Sequence, residues 1–142
     1  KGWLRGQGVT IGRDEKEDAS HLVGRKFADT DDIRPYFVRP TKTWTVARVT
    51  RKRDERLFCA PVLLTKIGLD TVYHAASAVL KEDAVYTHAF SAIKGNQKDL
   101  PLLRTFAALY NSDFFTAISS FYSVSFSGLE YIITILHYST NR

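Results

Sequence analysis

The hydrophobic period of this chain changes once, at Gly95-Asn96. Before that point, apolar and polar residues alternate in short stretches. In Val85 to Ile93, Tyr86, His88 and Phe90 fall on one face and Val85, Thr87 and Ala89 on the other, the period-two signature of a strand. Beyond it, Leu102, Leu103, Phe106, Leu109 and Tyr110 recur at helical spacing behind Asp99, a residue type suited to capping a helix. Strands first and helix second predict an α+β fold, β-rich up to about Ile93, with a helix near Leu100 to Asn111 covering the sheet. The helical pattern continues through Phe114, Ile118 and Phe121, with a break at Asn111-Ser112-Asp113.

Other strands are expected around Val9 to Ile11, at Trp44 to Val49, at Leu57 to Thr65 and at Val72 to Ala76. Pro61 marks the third of these as an edge or a bulge. Thr50 to Arg56, polar and charged, joins Trp44–Val49 to Leu57–Thr65 as a hairpin whose tip bears Arg51, Lys52 and Arg53. Asp29-Thr30-Asp31-Asp32 reads as a turn or a helix start, and Pro35 and Pro40 keep the chain extended or kinked. Leu129 to Tyr138 fits either a buried strand or a second helix.

With 142 residues, 44% of them apolar and 25% charged, the chain suits one globular domain with a single core. No apolar run approaches the roughly 18 residues of a membrane span, so no membrane partner is expected. The lone Cys59 makes no internal disulfide and fits a reducing cytoplasm. No apolar leader follows Lys1, and the chain contains no methionine, which suggests a piece of a longer protein.

Charge is unevenly spread. Residues 1–58 carry 14 Lys/Arg against 9 Asp/Glu, and residues 59–142 carry 6 against 6. The excess concentrates in Arg39, Lys42, Arg48, Arg51, Lys52, Arg53 and Arg56, with only Asp54 and Glu55 among them. A basic stretch on an otherwise balanced domain is the electrostatic footprint of a phosphate-backbone contact. A solvated, solubilising loop is the plainer alternative.

Catalytic signals are sparse. Gly6, Gly8 and Gly12 do not complete a dinucleotide fingerprint, because Ile11 stands where its third glycine belongs, and no Gly-Lys-Ser/Thr follows. His21, His74, His88 and His137 are scattered without metal-ligand spacing. Cys59, inside an apolar strand pattern, reads as a buried inert thiol. Asp29, Asp31 and Asp32 suit an exposed turn or helix start better than a metal cluster. Phe114, Phe115, Phe121, Tyr122 and Phe126 suit core packing better than base stacking. No base, nucleophile and orienting partner come together.

The order of features resembles a known family. Arg5-Gly6 to Gly12, Ile33-Arg34-Pro35-Tyr36-Phe37, Trp44, Phe58-Cys59-Ala60-Pro61-Val62-Leu63-Leu64, Ala84-Val85-Tyr86 and Leu102-Leu103 to Leu109-Tyr110-Asn111-Ser112 together resemble the TaqI-like C-terminal specificity domain, the target recognition domain of N-6 adenine DNA methyltransferases and fused restriction-modification enzymes. The similarity spans about residues 5–115. It implies sequence-specific reading of double-stranded DNA by this domain, with methyl transfer in a separate methyltransferase domain of the parent. The Asn-Pro-Pro-Tyr type motif and the glycine-containing cofactor motif are missing here. No cofactor is therefore expected in this chain, S-adenosylmethionine belonging to the parent's catalytic domain. Arginine suits the expected role because its planar fork grips a phosphate or bridges guanine O6 and N7. Two rival readings stand beside it: a non-enzymatic RNA- or protein-binding module using the patch at 39–56, and a small hydrolase or nuclease using Asp29, Asp31, Asp32 and a histidine.

Overall fold

A computed structural model describes residues 3–67 and 76–116. Within them run strands β1 (Leu4–Gln7), β2 (Glu17–Asp18), β3 (Lys26–Ala28), β4 (Ile33–Arg34), β5 (Phe37–Val38), β6 (Lys42–Thr43), β7 (Arg48–Val49), β8 (Val62–Lys66), β9 (Ser77–Leu80), β10 (Val85–Tyr86) and β11 (Phe90–Lys94), followed by helix α1 (Leu100–Tyr110). The fold is α+β, with the helix after the β-rich part.

The central sheet is antiparallel, in the order β1-β11-β8-β9. Strand alternation sorts its two faces. Ile93 lies beside Leu63, and Leu63 beside Val79. These three pack on Leu103, Phe106, Ala107 and Tyr110 of α1, together with Phe115. Val62, Leu64, Ala78, Leu80 and Ala92 point the other way, into the larger core with Phe58, Tyr86 and Phe90. Because β8 is covered on both faces, Val62-Leu63-Leu64 is continuously apolar instead of alternating.

Smaller pairings close the second face. β3 lies between β10, parallel to it, and β6, antiparallel. β2 pairs with β7, and β4 with β5 as a tight hairpin. Trp44 is buried among these elements, its ring 5.2 Å from that of Phe27.

Several expectations need correction. The hairpin joining 44–49 to 57–65 does not form: β7 pairs with β2, whereas β8 sits between β11 and β9. Trp44–Val49 narrows to Arg48–Val49, because the backbone changes partner along it: Trp44 N donates to Arg25 O (2.8 Å), whereas Ala47 O accepts from Ala19 N (2.8 Å). In Leu57–Thr65, Glu55–Phe58 is instead a 3-10 helix, and Pro61 precedes an inner strand, where its missing N–H costs the ladder nothing. Val85–Ile93 breaks at Thr87–Ala89, where the chain leaves β3 and joins the central sheet. The first strand is Leu4–Gln7, with Val9 and Thr10 making only isolated bridges.

The helix forms where its period indicates, with its stripe shifted: Leu103, Phe106, Ala107 and Tyr110 are buried and Leu102 is exposed. Asp99 holds the N-cap position of α1, but its side chain makes no capping hydrogen bond to that helix. Its carboxylate accepts from Asn96 N (2.8 Å) and closes a capping box around the 3-10 turn Gln97–Asp99, which runs on into α1. The helix ends at Tyr110, and 113–116 are helical again. Ile118, Phe121, Tyr122, Phe126, Leu129–Tyr138 and the strand expected at 72–76, save Ala76, lie outside the described residues.

Candidate nucleic-acid interface

The basic stretch is built onto the segment that follows β1. Gly8 makes this possible. A Cβ there would stand 2.1 Å from Tyr86 O and 2.4 Å from Thr87 O, so only glycine lets the chain cross the end of β10 this closely. Val9 N then donates to Tyr86 O (3.0 Å), and His88 N to Val9 O (2.8 Å). Beyond the crossing, Thr10 bridges Arg51, and Glu17 and Asp18 lie opposite Val49 and Arg48. Residues 48–53 are thereby laid along residues 8–18.

Four of the seven predicted cations come together here. Arg53 is half-buried and donates from Nε to Gly8 O (3.1 Å) and from Nη2 to Gln7 Oε1 (3.4 Å). Burial, and then the neighbouring Arg51, lower its pKa. Arg48 donates to Lys16 O (3.4 Å). The side chains of Arg48, Arg51 and Lys52 are exposed, and among the described residues no ion pair engages them. Acids stand close by: Glu17 accepts from Lys52 N (2.6 Å), and Asp18 accepts from Ser20 N (3.0 Å), a hydrogen bond that lowers its pKa.

The other three cations lie elsewhere. Lys42, on β6, is paired with Asp29 (2.5 Å), and its hydrogen bond is the main reason the Asp29 pKa is lowered. Arg56 folds back on Asp54 (2.5 Å). Arg39 is exposed just past β5. The aspartate cluster forms the expected turn: Asp29 caps the 3-10 helix Thr30–Asp32, Asp32 accepts from Asp29 N (2.9 Å), and Thr41 Oγ1 donates to Asp32 (2.6 Å). Among the described residues, no group of three or more His, Cys, Asp or Glu is set to hold a metal ion. His21 pairs with Glu55 (3.0 Å). Cys59 is half-buried at the end of a 3-10 helix, not inside a strand, and borders a cleft of about 480 Å³ with Trp3, Arg56 and Lys94. Among the described residues, no helix is long and apolar enough to cross a membrane.

A second surface was not anticipated from the sequence. The β4–β5 hairpin turns through Pro35 and Tyr36, and Tyr36 has a φ of 67°, a conformation usually left to glycine or asparagine at that place in a turn. Tyr36 and Phe37 are 63% and 58% exposed. A groove of about 270 Å³ separates Tyr36 from α1 and is lined by Val79, Lys81, Arg104 and Ala107. The available signal was two adjacent aromatics between Pro35 and Pro40, with Arg34 and Arg39 on either side. Compared with protein families, with curated proteins and with solved structures, the chain matches none.

Proposed function

We propose that this chain is a DNA-recognition domain, of the kind attached to adenine-specific DNA methyltransferases and restriction-modification enzymes. In this reading it clamps duplex DNA while a separate domain, which binds S-adenosylmethionine, transfers the methyl group. The observation that carries it is the edge where Arg48, Arg51 and Lys52 stand exposed and without ion pairs beside the anchored Arg53. Exposed cations held on a fixed backbone suit phosphate contact, because neutralising phosphates releases condensed counterions. Lys42 and Arg56, each already paired with a carboxylate, contribute less. The packing of two of the stretches that carry the family resemblance is compatible with this reading: Leu63, from Phe58-Cys59-Ala60-Pro61-Val62-Leu63-Leu64, packs in one cluster with Leu103 of the helix.

The test is triple replacement of Arg48, Arg51 and Lys52 by alanine, with duplex binding measured over a range of salt concentrations. Affinity should fall for all sequences alike, and the salt slope should become shallower by about 0.9 for each phosphate no longer neutralised. Unchanged affinity and slope would place recognition elsewhere. Wild-type preference for RNA over duplex DNA would favour an RNA-binding module instead.

A further inference from the structure

The Tyr36 turn has no structural need for tyrosine. A glycine fits a positive φ without strain, whereas a bulky L residue is held there against its backbone preference. Neither Tyr36 nor Phe37 belongs to a hydrophobic cluster, so the strain sets an aromatic ring in solvent. Strain of this kind is usual at ligand-contacting positions.

The groove beside the ring supplies the rest. Its floor is Val79 and Ala107, and Lys81 and Arg104 are its cations. Arg34 and Arg39 flank the aromatic pair on the hairpin. Among the described residues, no ion pair engages any of these four cations. Its volume lies just below the roughly 300 Å³ at which drug-sized sites begin, which suits one planar ring system. An uncharged peptide segment would leave Lys81 and Arg104 without counter-charge. A nucleotide unit matches both features, an aromatic face for Tyr36 and a phosphate for the cations.

We propose that this groove takes an unpaired base of a single-stranded nucleic acid, stacked on Tyr36, with the adjoining phosphates met by Lys81 and Arg104. Only an unstacked base offers its face to a side chain. The surface is independent of the duplex-binding proposal. It lies beside β9, whereas Arg53 is tied to the end of β1 at the opposite edge of the sheet, about 14 Å away across three strand spacings.

The chain is titrated by fluorescence anisotropy with a labelled single strand of about 12 nucleotides, within the usual site sizes, and with an abasic strand of equal length and charge. Wild type should bind the base-containing strand at least fivefold more tightly, the lower end of measured stacking effects. Tyr36→Gly should abolish that preference and Tyr36→Phe should keep it. Because glycine relieves the turn, the Tyr36→Gly protein should melt no lower than wild type, which separates lost binding from lost folding. Joint replacement of Lys81 and Arg104 by alanine should weaken both strands. The Arg48, Arg51 and Lys52 triple variant should keep the preference for the base-containing over the abasic strand, whatever its overall affinity, so failure of the duplex reading stays distinguishable. Equal affinity for both strands, wild-type binding by Tyr36→Gly, or displacement of the strand by polyglutamate as effectively as by unlabelled strand would overturn the proposal. The last result would mark the groove as a surface for an acidic protein.

Discussion

Asn111 closes the exposed edge of the central sheet, and replacing it by alanine should cost about 2–4 kcal/mol. β9 is an edge strand, and edge strands leave backbone groups unpaired unless something covers them. At Ser77, a fully buried residue, both outward groups are covered. The Asn111 side chain accepts from Ser77 N (2.8 Å) and donates to Ser77 O (2.7 Å), as a neighbouring strand would. The carbonyl also accepts from Tyr36 N (2.9 Å), so in Asn111→Ala it keeps a partner. The N–H keeps none. An orphaned buried donor costs about 1–3 kcal/mol, and the second broken bond adds about 0.5–1.5 kcal/mol. Urea denaturation should show a lower midpoint with an unchanged slope. Native-state hydrogen exchange should show the Ser77 amide losing protection. A variant within about 0.5 kcal/mol of wild type, the range of an ordinary surface change, with Ser77 still protected, would refute the edge-closing role.

Gly8→Ala should lower the melting temperature through overpacking worth at least about 1–3 kcal/mol, because the new Cβ meets only backbone within 2.6 Å. Gly6→Ala meets the flexible tip of Leu57 at 2.7 Å instead, so equal losses for the two variants would contradict the argument. The Arg56 side chain, and then its backbone N–H, hold the Asp54 carboxyl at about 2 against an ordinary 3.8. Since the folded pKa is the lower one, this stabilisation is complete above about 3.8 and is lost as pH falls through about 2. In Arg56→Ala, NMR titration of Asp54 should move toward 3.8, and an unchanged value would show that Arg56 is not the cause.

The parts of the fold that were legible are those where local pattern and burial agree. The change of period at Gly95-Asn96 locates the boundary between sheet and helix, because α1 buries one stripe and the strands bury alternate residues. The aspartate turn was legible because Asp29 and Asp32 satisfy their own backbone locally. Strand partners were not. Residues 44–49 and 57–65 are near in sequence and β-rich, yet β7 finds β2 some 30 residues back, a pairing that depends on Gly8 letting the chain pass β10. Periodicity carries no information about such long-range contacts.

The same long-range pairing decides which cations are available, and here composition alone misleads. Seven basic residues within 39–56 look like one patch in sequence. Folding divides them. The β2–β7 ladder sets Glu17 and Asp18 against Val49 and Arg48, so the acidic run at 14–18 shares a surface with the basic stretch. Lys42 and Arg56 meet carboxylates on their own elements or across a sheet. Arg39 is carried to the far side, to the hairpin that presents Tyr36 and Phe37. The surface therefore carries two smaller groups of cations. One is anchored beside β1 by the hydrogen bonds of Arg53, and the other surrounds exposed aromatic rings beside β9. A rigid duplex is suited to the first, where cations line a fixed backbone and no exposed ring is needed. The second, with a ring held in solvent by a strained turn, is suited to a strand whose bases are free to leave the stack.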